Sequence, residues 1–126
     1  MKARMHELIE RVVDGIDGTD KAVIVTDVNG LILSWNRGAE ELYGWPSDLV
    51  LGRHILGVTP ARLTIGDGAR IMSSLQAGIP WRGNFVVRTR TREEITVDVD
   101  DTPVRGERGD VIGIVGVSHR ALAAAP

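Results

Sequence analysis

Three aspartates close together in the sequence are the residues that could most readily do chemistry. Asp98, Asp100 and Asp101 could hold a divalent cation, because carboxylate oxygens are ligands that such cations prefer. Side chains alternate between the two faces of a strand, so Asp98 and Asp100 share one face. Arg88 and Arg90 are expected beside them, where their charges would neutralise the two carboxylates. We therefore predict no metal site.

The motifs of common catalytic sites do not occur in the sequence. It contains no Gly-x-Ser-x-Gly motif, no phosphate-binding loop and no histidine pair at metal-binding spacing. His6, His54 and His119 are far apart, and each is interpreted as an ordinary solvated or hydrogen-bonded side chain. The absence of cysteine excludes disulfides, thiolate nucleophiles and thioether-linked chromophores. We predict that the protein is not an enzyme.

Length and charge restrict the possible partners. The 126 residues suit one domain, with 43% hydrophobic and 25% charged residues, close to a globular average. The net charge is −2 and no basic tract is present, so no nucleic-acid partner is expected. The longest apolar run, residues 111–117, is far shorter than the roughly 20 residues of a membrane helix. With no signal-peptide core at the amino terminus, we predict a cytoplasmic protein without a membrane partner.

Hydrophobic periodicity predicts three helices. The first spans residues 5–16 and is amphipathic, and the second spans 37–42, with Asn36 as its N-cap. Glycine and proline interrupt residues 47–60, so one or two short helical turns are expected there. The longest helix, over residues 64–77, begins with a capping box formed by Thr64 and Asp67.

Runs rich in β-forming residues predict five strands. They cover residues 22–28, 31–35, 81–91, 95–104 and 111–118. Asn29 and Gly30 favour a tight turn between the first two strands, where Asp27 should accept backbone hydrogen bonds. The order β-β-α-α-α-β-β-β indicates an α+β fold with a five-stranded antiparallel sheet and helices on one face.

Alternation along the third and fourth strands also suggests how they pair. Matching apolar faces require that the numbers of paired residues sum to an even value. A three-residue turn over residues 92–94 predicts that Val87 pairs with Val99 and Arg88 with Asp98. One face of this hairpin is then apolar and the other is charged.

Four short strings, taken in order, resemble the PAS domain family. They are residues 35–45 (WNRGAEELYGW), 51–53 (LGR), 81–83 (WRG) and 113–118 (GIVGVS). The resemblance covers roughly residues 20–119 and divides the chain into an N-terminal helix (1–19), a PAS domain (20–119) and a tail (120–126).

The resemblance implies a sensory module of a bacterial signalling protein, joined to an output domain such as that of a histidine kinase in a two-component system. The Asp-x-Thr motif that ends typical members corresponds here to Arg120 and Leu122.

The resemblance also bears on cofactors. In its light-oxygen-voltage branch a cysteine bonds to flavin, and that position is Ile55 here. Polar flavin contacts of that branch correspond to Val87 and Val97, and its last-strand glutamine corresponds to Ser118. Haem-binding members commonly use a histidine on the long helix, which has none. Flavin and haem are therefore disfavoured, and the expected guest is a small hydrophobic ligand such as a fatty acid, or none.

The expected ligand site lies between the long helix and the sheet. The same positions could instead pack on one another as an ordinary core. The candidate lining residues are Ile55, Met72, Leu75, Phe85, Val87, Val97, Val99, Ile114, Gly116 and Ser118.

The amphipathic helix suggests a second role. Its apolar stripe must be buried either on its own sheet or against a second chain, and family members use such helices for dimer contacts. We predict a homodimer, and the competing function is a dimerisation module that binds no ligand. The candidate interface residues are Leu8, Ile9, Val12, Val13 and Ile16.

Overall fold

One five-stranded antiparallel sheet, in the order β2-β1-β5-β4-β3, forms the centre of the described chain. The computed structural model describes residues 7, 10, 21–63 and 65–121, so the predicted interface stripe at positions 8, 9, 12, 13 and 16 lies outside the described residues. The strands are β1 (Ala22–Thr26), β2 (Ile32–Trp35), β3 (Trp81–Arg88), β4 (Glu94–Arg105) and β5 (Val111–Arg120). The predicted α+β fold is confirmed.

Four helices connect β2 to β3 along the described chain. They are α1 (Arg37–Tyr43), α2 (Ser47–Val50), α3 (Ile55–Val58) and α4 (Ile65–Gln76). The segment 47–60 thus holds two short helices, within the one or two helical turns predicted there. Four helices lie between β2 and β3, where the predicted element order has three. Thr64 lies outside the described residues, so the capping box at the start of α4 stays a prediction.

The sheet buries residues on both faces. All five residues of β1 are buried, and alternate ones belong to two different clusters. Ala22 and Ile24 join the larger cluster on the inner face, together with residues of α1, β3 and β4. Val23 and Val25 join Val115 on the outer face. The helices that position the cavity described below lie on the inner face.

The turn between β1 and β2 is built around Asp27. Its Oδ1 accepts hydrogen bonds from the backbone N–H groups of Asn29, at 2.8 Å, and Leu31, at 2.9 Å. This confirms the predicted role of Asp27. Because these bonds hold the chain in a turn, β1 ends at Thr26, two residues earlier than predicted.

Asn36 joins α1 to β1. Its Oδ1 accepts from the N–H of Ala39, at 2.9 Å, which confirms the N-cap, and from the N–H of Val23, at 2.8 Å. Its Nδ2 donates to the carbonyl of Lys21 at 3.1 Å. The helix begins so close to the strand that a Cβ on Gly38 would lie 2.2 Å from the Lys21 carbonyl oxygen. Asn36 and Gly38 together set the packing of α1 on the sheet.

The predicted register of β3 and β4 is wrong. Val87 pairs with Ile95 and Arg88 with Glu94, whereas Asn84 pairs with Asp98. This register also matches apolar faces, because the numbers of all these paired residues sum to an even value. Alternation therefore limits the register without choosing it.

The turn geometry decides the register. Thr89 N–H donates to the Glu93 carbonyl and Arg92 N–H to the Thr89 carbonyl, both at 2.9 Å, which closes a three-residue loop over 90–92. Arg92 has φ 68°, the left-handed conformation typical of the last residue in such loops. The pairing of aspartates with Arg88 and Arg90 is corrected accordingly: Arg82 Nη2 contacts Asp100 Oδ2 at 2.7 Å.

Asn36→Ala should lower the free energy of unfolding by about 2 kcal/mol, because one side chain supplies the helix cap and two links to β1. Urea denaturation measures the change. Arg37→Ala is the control, since its exposed pair with Glu41 should contribute no more than about 0.5 kcal/mol. Equal losses in the two variants would contradict the assignment.

Arg92→Gly should stabilise the domain by about 0.5–1 kcal/mol, because glycine adopts positive φ without the steric cost of a Cβ. Thr91→Gly, one residue earlier in the same loop, should give no gain because Thr91 does not have positive φ. Thermal denaturation of both variants distinguishes the two positions. A loss of stability in Arg92→Gly would show that the loop has a different conformation.

Candidate functional site

A cavity of about 650 Å³ lies between the inner face of the sheet and helices α3 and α4. The structure places all ten predicted lining residues around it. Those from the sheet are Phe85, Val87, Val97, Val99, Ile114, Gly116 and Ser118, and those from the helices are Ile55, Met72 and Leu75. The fold thus brings all ten residues together around one cavity. Ligand binding in this cavity stays a prediction.

Strand pairing makes the sheet wall of the cavity apolar. Phe85 pairs with Val97, so the inward positions of β3 and β4 meet side by side. The ring of Trp81 stacks on Phe85, with centroids 4.8 Å apart, and covers Gly83 so closely that a Cβ there would lie 2.6 Å from the indole. Trp81 thereby covers the edge strand, and Phe85 presents its ring to the cavity.

Asp101 also lines the cavity, although the sequence suggested it only as one of three possible metal ligands. It follows Val97 and Val99 at every second position of β4, and it lines the cavity together with them. Its partner on β5 is Gly116, where a Cβ would lie 2.7 Å from the carboxylate Oδ1. Gly116 therefore leaves the space that the Asp101 carboxylate occupies. Because Asp101 lies two residues after Val99 on the same strand, the sequence already indicated that its side chain points to the same face as Val97 and Val99.

The cavity changes the acidity of Asp101. Burial, and then the negative charge of neighbouring Asp100, raises the pKa of Asp101 from 3.8 to about 7. Among the described residues, none donates a hydrogen bond or forms an ion pair with this carboxylate. It is thus a carboxyl group that titrates near neutral pH inside a mostly apolar cavity.

A hydroxyl pair lies beside this carboxyl group. The Oη of Tyr43, at the end of α1, and the Oγ of Ser118 are 2.7 Å apart and both residues are buried. Burial raises the pKa of Tyr43 to about 12; the Ser118 hydrogen bond opposes this shift and the charge of Asp101 adds to it. We call Asp101, Tyr43 and Ser118 the acidic end of the cavity. Tyr43 was missed because it is 75 residues from Ser118 and belongs to a different element.

Exposed lining residues mark the side where the cavity meets solvent. The Gln76 amide donates to the Val28 carbonyl at 3.0 Å and joins the end of α4 to the β1–β2 turn. His54 is exposed, caps α3 through Nδ1 and packs its ring against Gly30. His54 therefore has a local structural role at this rim.

The three aspartates do not converge. Asp100 lies on the outer face, paired with Arg82, and Asp101 lies on the inner face. In residues 21–63 and 65–121, no group of three or more histidine, aspartate or glutamate side chains is arranged to hold a metal ion. In the same part of the chain, no helix is long and apolar enough to span a membrane.

Asp101→Asn should make the domain less sensitive to pH. Between about pH 4 and pH 7, Asp101 stays protonated when folded but ionises when unfolded, so the stability of the parent protein falls as pH rises through this window. The stability difference between Asp101→Asn and the parent should therefore grow from pH 4.5 to 7.5 and level off above. Thermal denaturation across this range measures it. A constant difference would contradict the raised pKa, and Asp100→Asn is the control.

The family comparison agrees with the geometry. A family model described as the PAS fold matches residues 7–121. The comparison with curated proteins gives no match.

Solved structures with the same fold come from distant organisms. The PAS domain of a Colwellia psychrerythraea protein is 22% identical, with a TM-score of 0.72 over 90% of this chain and 97% of that one. A light-oxygen-voltage protein of Rhodobacter sphaeroides is 14% identical, with a TM-score of 0.79 over 95% of this chain and 70% of that one. The PAS domain of the fruit-fly ELK potassium channel is 14% identical, with a TM-score of 0.76 and coverages of 89% and 95%.

At these identities the structural matches show the fold alone. The family model spans most of the chain, and the sheet order and helices agree with it. This chain belongs to the PAS family, whose members are typically sensory or interaction modules.

Proposed function

We propose that this PAS domain is a sensor that binds a small, largely apolar ligand in the cavity between α4 and the sheet. The observation that carries the proposal is the cavity itself. Its volume of about 650 Å³ lies within the range of ligand pockets, roughly 300–1,000 Å³. Packing of these residues into a solid core, the alternative reading of the sequence, would leave no space of this size.

The apolar wall supplies the expected driving force. Each 100 Å² of apolar ligand surface buried contributes about 2.5 kcal/mol, which must exceed the loss of ligand freedom. Phe85, Val87 and Val97 present such surface from the sheet, and Met72 and Leu75 present it from α4. A ligand that fills much of the cavity therefore contacts the sheet and the long helix at once.

The chemistry of the wall does not fit flavin. An isoalloxazine ring carries several polar groups, and each one left without a partner in a buried site costs about 1–3 kcal/mol. Of the described β3 and β4 residues that line the cavity, Phe85, Val87, Val97 and Val99 offer no side-chain hydrogen bond, and Asp101 offers one group at one end only. At 14% identity, the likeness to a light-oxygen-voltage protein concerns the fold alone.

Haem is disfavoured by the position of the histidines. The described residues of α4 include no histidine. His54 is exposed at the rim, and its Nδ1 accepts the hydrogen bond that caps α3. We therefore propose an apolar ligand without a metal.

The signal is proposed to leave the domain through its helices. Ligand binding would shift α4 relative to the sheet, and the amino-terminal helix would pass the change to a homodimer and to the output domain of a bacterial signalling protein. This part rests on the family and on the predicted stripe of residues 8–16. The competing function is a dimerisation module that needs no ligand.

Val99→Phe should weaken ligand binding, because the larger ring occupies part of the cavity. Native mass spectrometry of freshly purified parent protein should show a bound compound released on denaturation, and titration with 1-octanol should show binding. Val99→Phe should weaken 1-octanol binding at least about tenfold, equal to about 1.4 kcal/mol. Circular dichroism confirms that each variant is folded.

Val86→Phe is the matched control. Val86 pairs with Thr96 on the outer face, so this substitution adds the same volume away from the cavity. It should bind 1-octanol like the parent. A parent protein that carries no compound and binds no 1-octanol would favour the dimerisation module.

A further inference from the structure

Among the described residues that line the cavity, Asp101 is the one carboxylate and none is lysine or arginine. Within this part of the chain, no basic side chain of the wall balances its negative charge. The ion pair of Arg82 with neighbouring Asp100 is on the other face of the sheet. An anionic group in an apolar site is stable only when a cation or several donors accompany it. A bound ligand can supply that missing charge.

The other polar atoms at the acidic end also accept hydrogen bonds. Ser118 pairs with Val99 and Asp101 with Gly116, so Ser118 and Asp101 are diagonal neighbours on adjacent strands. The hydroxyl pair of Tyr43 and Ser118 uses one proton internally and keeps lone pairs on both oxygens. A ligand group with several donors therefore meets a carboxylate and two hydroxyl oxygens together.

Resting on the proposed function, we propose that the ligand is an apolar amine whose ammonium group binds Asp101 at the acidic end of the cavity. The ammonium carries three donors and a positive charge, which match the three acceptors. The hydrocarbon part lies along Phe85, Val97 and Leu75. Gly116 is the positioning residue, since its missing side chain leaves room for the Asp101 carboxylate.

The same geometry opposes the fatty acid suggested by the sequence. A fatty-acid carboxylate at this end would lie beside a second carboxylate, and like charges repel. A neutral alcohol would leave the Asp101 charge without a counter-ion. We therefore expect an amine, an alcohol and a carboxylate of equal chain length to bind this cavity with different affinities.

The pH dependence of amine binding depends on the titratable groups that surround Asp101. Tyr43 faces Asp101 from α1, and Asp100 is its neighbour on β4, on the opposite face of the sheet. Its partners Trp81 on β3 and Gly116 on β5 carry no titratable group. The described lining residues of α4 carry none either, and His54 lies before α3 at the rim.

Amine affinity should rise with pH. An alkylamine stays protonated up to about pH 10, as a lysine does, while Asp101 must ionise to bind it. With a pKa of about 7 for Asp101, affinity for the amine should increase about 30-fold from pH 5.5 to pH 8.5. Affinity for an alcohol of the same length should not increase over this range.

Calorimetric titration with n-octylamine, 1-octanol and octanoate, at both pH values, tests the proposal on the full chain. The parent protein should prefer octylamine at pH 8.5 by at least about tenfold over 1-octanol, and octanoate should bind most weakly. Asp101→Asn should remove both this preference and the pH dependence. Asp100→Asn should keep the preference for octylamine. The midpoint of its pH dependence should move slightly to lower pH, because the charge of Asp100 raises the pKa of Asp101 in the parent protein.

The outcomes separate this proposal from the proposed function. If 1-octanol binds and octylamine shows neither preference nor pH dependence, the amine is wrong and the apolar sensor stands. If Asp101→Asn keeps the preference, another group binds the ammonium and the proposal is overturned. If the parent protein binds none of the three, both proposals fail. The pH profile of the parent protein needs no variant and decides the matter even if Asp101→Asn does not fold.

Discussion

The antiparallel pairing of β5 with both β1 and β4 is the constraint on which the rest of the structure depends. It joins a strand that begins at residue 22 to one that ends at residue 120 and places the last strand at the centre of the sheet. The same pairing puts Gly116 between Ile24 and Asp101, and Ser118 between Ala22 and Val99. The inward positions of β1, β4 and β5 at the cavity follow from this arrangement, and among them Ser118 contacts Tyr43.

In the absence of ligand, the acidic end of the cavity lowers the stability of the domain. A half-buried, desolvated carboxylate with no donor or cation among the described residues lowers stability above neutral pH, and a well-packed apolar residue at 101 would not. Binding and catalytic sites commonly retain such unfavourable groups because function uses them. In this domain the cost lies on the cavity wall, where a ligand can remove it by supplying a positive charge.

Family membership and site chemistry are separate findings for this chain. Proteins that are 14–22% identical share its sheet and helices, so the fold tolerates wide changes in sequence. The cavity wall is set residue by residue, with Ile55, Val87 and Val97 at positions that the resemblance matches to flavin-contacting residues of the light-oxygen-voltage branch. Fold therefore identifies the kind of module, and the ligand class has to be argued from the wall.

The sequence by itself determined the elements, the turn at Asp27, the cap at Asn36 and ten inward positions, because periodicity and capping are local. It did not determine the register of β3 and β4, because alternation permits every register in which the numbers of paired residues sum to an even value. The turn with Arg92 in the left-handed conformation selects one of these registers. The inward position of Asp101 was readable from its parity with Val99. Its raised pKa was not, because desolvation depends on the helices and strands that surround the carboxylate, and only the tertiary structure brings those together.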